Sequence, residues 1–216
     1  MTRGLVAGIS VAVMALALPA TARADKMAFK LLQNYSRATF TSDAPLETFV
    51  GNTAGTGIEG TLQVDPAKPA EATATVRVDM NQVTTGVAKR DADMRSKTYL
   101  DTEASEANRW VTFEIKNIEI AGPLQPGKET PARVRGTLTI KGKPVETVAD
   151  ARVAYVKLTP AEVETQKRFG FTSDNIKVRA KFVTTFTNHG MQVPQLLSLK
   201  VANELQLETD LTFVRQ

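Results

Sequence analysis

Apolar and polar residues alternate one for one in stretch after stretch of this sequence, and a segment patterned that way dries only one side of a β-strand. Val76, Val78 and Met80 alternate with Thr75, Arg77 and Asp79, and Val111, Phe113 and Ile115 alternate with Thr112, Glu114 and Lys116. Val134, Leu138 and Ile140 stand opposite Arg133, Arg135, Thr137 and Thr139. Ile176, Val178, Ala180 and Phe182 stand opposite Lys177, Arg179 and Lys181, and Leu205, Leu207, Leu211 and Phe213 alternate with Glu204, Gln206, Glu208, Asp210 and Thr212. A helix would scatter each of these sets around its axis, so these segments are strands.

Less regular runs near 30–41, 58–64 and 145–158 bring the expected number to about eight strands, punctuated at Asp65-Pro66, Gly122-Pro123, Pro126-Gly127, Lys141-Gly142 and Asn188-His189-Gly190. Helical signal is confined to Ala88–Lys97, to Pro160–Lys167 behind Thr159 as N-cap, and to a short turn at Pro194–Val201. The expected fold class is all-β, about eight antiparallel strands with one or two short helices, and the alternation leaves open whether the dry faces are buried in a two-sheet sandwich or in a sheet closed into a barrel. Eight strands enclose an interior just wide enough to be filled by side chains or to hold one slender ligand. A membrane-spanning barrel would need aromatic girdles, and this chain is 6% aromatic with a single tryptophan, Trp110.

The first 24 residues read as a cleavable secretory signal. Met1–Arg3 is a short basic start, Gly4–Leu18 is almost wholly apolar, Pro19 breaks the run, and Ala22-Arg23-Ala24 is the small-x-small pattern of a processing site. The expected mature chain is a single domain, 25–216, in the periplasm or secreted. The leader holds two of the 27 basic residues, Arg3 and Arg23, so 25 remain against 23 acidic ones, a net charge of +2. Basic residues so balanced and so scattered argue against a nucleic-acid partner, which would need them grouped on one face. With no cysteine, stability in an oxidising compartment rests on packing and strand pairing alone.

Catalytic chemistry finds few residues to use. Gly55-Thr56-Gly57-Ile58-Glu59-Gly60 fits a dinucleotide fingerprint, with Asp79 at the spacing of a ribose contact, but that motif must open a helix, and Thr61-Leu62-Gln63-Val64 reads as strand. A turn entering a strand is the expectation. His189 is the only histidine, so neither a catalytic triad nor a histidine-rich zinc site can be assembled; its turn context predicts a solvated side chain. Asp91 and Asp93 lack the following ligands of a calcium loop and read as surface charges or local ion pairs. Asp101 with Glu103 and Glu162 with Glu164 read as solvated faces. No nucleophile motif occurs in the mature chain, and no enzyme, metal or cofactor is expected.

One stretch is more specific: Thr84-Thr85-Gly86-Val87-Ala88-Lys89-Arg90-Asp91-Ala92-Asp93-Met94-Arg95, then Tyr99-Leu100-Asp101, then the strand Val111-Thr112-Phe113. It resembles the YceI-like, polyisoprenoid-binding family, whose distinctive run is T-G-x-x-x-R-D-x-x-M-R followed by L-D and a strand containing F. Val134-Arg135-Gly136-Thr137-Leu138-Thr139-Ile140-Lys141-Gly142 is similar to that family's G-x-L-T-x-x-G hairpin, and the match runs in order from about Phe29 to Val214. The chain departs from the pattern in loops: Glu106-Ala107-Asn108-Arg109 stands where a proline is common, and Lys143-Pro144-Val145 lacks the threonine often found after the hairpin glycine. The Arg90-Asp91 pair is expected to pin the loop after its strand rather than to meet a ligand.

The resemblance implies an antiparallel lipocalin-like barrel of about eight strands with one or two short helices, exported to the periplasm and holding a long amphipathic lipid, such as a polyprenyl chain, an isoprenoid quinone or a fatty-acid derivative. The residues agree, because an apolar inner face without a charged cluster suits a tail-binding tube. The candidate lipid-binding positions are Val76, Val78, Phe113, Ile115, Leu138, Ile140, Val178, Phe182, Leu207 and Leu211. The alternative is a non-catalytic envelope stress or interaction protein whose barrel is fully packed. An exposed strand edge or apolar mouth leaves open a homodimer, or transient contact with a membrane surface or membrane protein.

Overall fold

The computed structural model describes residues 26–53 and 55–216, so the signal-peptide reading of residues 1–24 lies outside the described residues. The all-β antiparallel barrel is the fold observed, built as eight staves. The first is β1 (Met27–Leu31) continued by β2 (Arg37–Ala44), the second β3 (Glu47–Thr53) continued by β4 (Ile58–Val64), and the third β5 (Thr73–Asp79) continued by β6 (Val83–Thr84). Five unbroken staves follow: β7 (Trp110–Ile120), β8 (Glu129–Ile140), β9 (Lys143–Lys157), β10 (Asp174–Thr185) and β11 (Glu204–Arg215). Consecutive staves pair antiparallel, and β11 closes the cylinder by pairing back onto the first stave, Leu207 opposite Phe40 and Phe29 opposite Arg215.

The three broken staves are interrupted side by side, by single turns of 3₁₀ helix at Gln33–Tyr35, Gly55–Gly57 and Met80–Gln82. A broken stave leaves backbone groups without ladder partners, and buried polar side chains take them up. Ser36 Oγ accepts from the Thr212 N–H (2.9 Å) and donates to the Leu32 carbonyl (3.0 Å), while the Thr212 hydroxyl donates to the Tyr35 carbonyl (3.2 Å). Asp79 accepts the N–H of Asn81 at 3.0 Å. Asp79 and Thr212 occupy wet-face positions in the alternation, yet both are buried, because these breaks recruit them. The glycine-rich decoy is explained here too: a Cβ on Gly57 would lie 2.6 Å from Cβ of Gln82, so the glycine lets two neighbouring breaks touch, and the chain proceeds into β4, not into a helix.

Alternation is interrupted once more, within β7, where the register shifts between Ile115 and Asn117. The extra residue, Lys116, is a β-bulge that returns Ile118 and Ile120 to the inner face. On the outer face basic residues meet acidic ones across the ladders, as in Arg135–Glu119 (3.0 Å), Arg152–Glu129 (3.1 Å) and Lys181–Glu208 (2.7 Å).

One end of the barrel is plugged by Phe29, Ile58, Ile176 and Phe213, each at most 2% exposed, with Leu124 and Tyr155 packed against them. The Tyr155 hydroxyl donates to Asp174 at 2.5 Å, and Asp174 also accepts from Ser173 (2.8 Å) and Arg215 (3.1 Å). Burial, then the Asp174 carboxylate, push Tyr155 up to about 12. Beside this end lies α3 (Pro160–Gln166), started by Thr159 and Glu162 in a capping box. The other end carries the β2–β3 turn, the β6–β7 connection with α1 (Ala88–Arg95) and α2 (Glu106–Arg109), and the long β10–β11 connection. Among the described residues no helix is long and apolar enough to cross a membrane.

Candidate functional site

The barrel is not filled. A cavity of about 720 Å³ runs from Leu62, Leu211 and Phe213 above the plug to the end that carries α1. The reason lies in side-chain size: inward positions are held by Ala38 and Ala74 next to the plug and by Ala149, Ala151 and Ala180 beside Phe113 and Phe182, all lining the cavity. Each gives the interior one methyl where a leucine or phenylalanine would reach the opposite wall.

All ten residues singled out from the sequence face this one cavity: Val76 and Val78 from β5, Phe113 and Ile115 from β7, Leu138 and Ile140 from β8, Val178 and Phe182 from β10, and Leu207 and Leu211 from β11. Phe113 and Phe182 approach each other across the bore with ring centroids 5.5 Å apart. Phe113 lies over Gly136 of the neighbouring strand, where a Cβ would come 2.6 Å from its Cζ. The alternation did not reveal the alanines as the source of the space, nor the connection residues that roof it, Met94, Tyr99, Met191 and Leu197. Period two finds a face, whereas the void depends on the volumes of residues brought opposite one another by closure.

Charged groups on the lining gather at the open end: Glu47, Lys89, Arg90, Asp93 and Lys200. Glu208 turns outward to Lys181. The tube is thus apolar along its length and polar at its mouth, the arrangement a long tail with a polar head requires.

A model of the YceI-like domain matches residues 29–213. The chain belongs to the YceI-like domain family. Solved structures with the same fold include a polyisoprenoid binding domain from Saccharophagus degradans, at 16% identity and TM-score 0.63 over 88% of this chain and 99% of that one. BcnA of Burkholderia cenocepacia matches at 18% identity and TM-score 0.59 over 82% and 95% of the two chains, and the Campylobacter jejuni YCEI protein at 16% and 0.57 over 77% and 84%. No curated protein matches the chain in sequence.

The motif that carried the resemblance fastens the mouth of this YceI-like barrel. Asp91, read from the sequence as a surface charge or local ion pair, is buried. It accepts from the Thr84 hydroxyl (2.7 Å), the Thr85 N–H (2.8 Å) and the Thr85 hydroxyl (2.6 Å). Burial pushes its carboxyl up, but those hydrogen bonds outweigh it and hold the group below the usual carboxylate range. Asp91 therefore pins the loop after β6, as its pairing with Arg90 in the motif had implied, while Asp93 is the exposed partner of Lys89 at 3.2 Å. Arg95 donates to the carbonyls of Val83 (2.7 Å) and Met80 (3.3 Å) at the third break. Arg90 lies 3.0 Å from Glu47 and covers the Phe49 ring at 4.2 Å, tying α1 to β3.

The expectation of a solvated His189 is also corrected: the residue is 1% exposed. Its Nδ1 lies 3.0 Å from the Lys143 carbonyl, which only accepts, so Nδ1 carries the proton and Nε2 accepts from the Thr184 hydroxyl at 2.8 Å. Burial lowers its pKa below 6.5, against a smaller opposite effect of the Lys143 carbonyl. The imidazole anchors the β10–β11 connection to the start of β9. Tyr99, roofing the cavity beside Phe186, is raised above 10.0 by burial and then by Asp93. Among the described residues no His, Cys, Asp and Glu side chains gather in a group that could hold a metal ion.

Proposed function

We propose that the protein is an exported, periplasmic carrier that holds one long-chain amphipathic lipid, a polyisoprenoid, an isoprenoid quinone or a fatty-acid derivative, inside the barrel. The observation that carries this reading is the apolar tube of about 720 Å³, closed at one end by the Phe29 and Phe213 plug and polar only at its mouth. Its size falls within the ~300–1,000 Å³ of small-molecule sites. Each methylene buried contributes about 0.8 kcal/mol, so ten carbons supply ~8 kcal/mol gross, part of which offsets the ordering of the chain. The binding domain from Saccharophagus degradans, alike in fold, supports the polyisoprenoid among these classes. The apolar run and small-x-small site of residues 1–24 support export.

The wall residues serve this role without reacting. Leu207, Phe182 and Phe113 bound the tube beside Ala149, Ala151 and Ala180, and Arg90 with Lys200 stands where a polar head would emerge. Native mass spectrometry of the protein recovered from its own periplasm, with solvent extraction of what it releases, tests the reading. A stoichiometric long-chain adduct is expected. A clean apo mass, together with no uptake of added quinone or fatty acid, would overturn it in favour of a protein working through its outer surface.

A further inference from the structure

The mouth of the cavity is ringed by aliphatic side chains that point into solvent. Leu46 at the β2–β3 tip is 69% exposed, Val87 before α1 is 44% exposed, and Leu196 and Leu199 of the β10–β11 connection are 92% and 54% exposed. These come from three separate connections, and two are joined directly, since the Leu46 N–H donates to the Leu199 carbonyl at 2.8 Å. Residues 194–201 form a tight helical turn, with the N–H groups of Lys200 and Val201 donating to the Leu197 carbonyl. That turn sends Leu197 into the cavity and leaves Leu196 and Leu199 on the outside. No packing within the fold accounts for the outward pair.

We propose that this rim seats the mouth of the barrel on an anionic lipid bilayer, an inference that rests on the carrier reading and names the surface with which it exchanges cargo. Charge selects the partner. The carboxylates that line the mouth are already matched, Glu47 by Arg90 at 3.0 Å and Asp93 by Lys89 at 3.2 Å, and Asp43 at the β2–β3 tip accepts from the Thr48 hydroxyl. Lys97 and Lys200, beside the cavity residues Ser96 and Val201, enter no ion pair among the described residues. Leucines that insert at the headgroup boundary, flanked by free lysines, are the composition of an interfacial anchor. A second copy of the chain fits this face poorly. A two-fold contact would bring the unpaired lysines of both copies into one small face, and the apolar rim offers on the order of 300 Å², short of the ~800 Å² per partner of a stable interface.

Co-sedimentation with vesicles decides it, using residues 25–216, because the apolar run of the leader would bind vesicles by itself. The protein is expected to pellet with vesicles of phosphatidylethanolamine and phosphatidylglycerol and less with phosphatidylcholine. Leu196→Glu/Leu199→Glu should lower the partition about 100-fold, and Leu46→Glu, on a different loop, should lower it independently. Lys97→Glu/Lys200→Glu should lower it about tenfold at low salt, with the difference vanishing at high salt. Wild-type protein that stays in the supernatant, leucine variants that pellet like wild type, or a dimer in light scattering that the leucine pair breaks without changing the partition would each overturn docking. Uptake of a fluorescent long-chain fatty acid in vesicle-free buffer separates the two readings: uptake without vesicle binding removes the docking surface alone, and vesicle binding without uptake removes the carrier alone.

Discussion

The Thr184 hydroxyl donates to Nε2 of His189 across 2.8 Å inside the barrel wall, an arrangement that only the neutral imidazole supports. Because burial lowers the His189 pKa below 6.5, the unfolded chain takes up a proton at a higher pH than the folded one. Stability should therefore be constant above that range and fall as pH drops through about 6.5 toward the lower folded value. His189→Gln should be less stable near neutrality and should lack this slope. Urea midpoints measured from about pH 7 to about pH 5 test it, and parallel curves for the two proteins would sink it. Asp79, Asp91 and Asp174 do not blur the result, since the stability each contributes is lost only below this window, as pH falls through 3.8 toward its lower folded value.

Arg109 grips Asp79 with two hydrogen bonds, 2.6 Å from Nη2 and 3.1 Å from Nε, and so ties α2 to the third stave break. The guanidinium, the largest influence on Asp79, holds its carboxyl low against burial. Arg109→Ala would leave a buried carboxylate with only the Asn81 N–H. Arg109 is itself 38% exposed, so solvent offsets part of the loss, and the variant should melt at a lower temperature than wild type. In wild type the contribution of Asp79 is present above 3.8 and is lost as pH falls through its lower folded value. In the variant the acid transition should begin at higher pH. An unchanged Tm and acid midpoint would remove the pair from the account of stability.

What the sequence made legible follows from how far apart the cooperating residues are. The inner face could be read because strand periodicity is local: Ile176, Val178, Ala180 and Phe182 repeat every second residue, so one short segment fixes its own phase. The cavity could not, because its volume is set by Ala38, Ala74, Ala149, Ala151 and Ala180 meeting across the closed bore. His189 sits in Asn188-His189-Gly190, a tripeptide that looks like a solvated turn, and is buried because the carbonyl of Lys143, 46 residues away, folds against it. The pairing of Ser36 with Thr212 spans 176 residues, which no local pattern reports. α2 is an intermediate case: the departure at Glu106–Arg109 hides a helix whose N-cap, Ser105, was available to be read, its side chain accepting from the Asn108 N–H at 3.2 Å.

Tyr99 presents the opposite case to Asp79. Its ring packs 5.8 Å from that of Phe186 in the roof of the cavity, but its buried hydroxyl meets no partner among the described residues. A buried hydroxyl without a hydrogen bond is a net cost. Tyr99→Phe keeps the ring and should be neutral or stabilising by up to about 1 kcal/mol. Chemical denaturation checks this, and a loss of stability would mean that the hydroxyl is satisfied after all.

Two adjacent inward positions on β10 test the tube by changing its volume in opposite directions. Phe182→Ala removes the ring facing Phe113, and should weaken a long-chain ligand about tenfold while the fold is retained. Ala180→Phe places a ring where Ala149, Ala151 and Ala180 keep the bore open, and should weaken binding of long chains while short ones still enter from the mouth. In the wild-type protein each added methylene should tighten binding about fourfold, the equivalent of ~0.8 kcal/mol, until the tail reaches the floor formed by Leu62, Leu211 and Phe213. In Ala180→Phe that rise should stop at a shorter chain, because the new ring becomes the floor. Titrating a series of fatty acids of increasing length into both proteins measures the two limits. The same limit in both would place the tail outside the barrel, whatever the affinity.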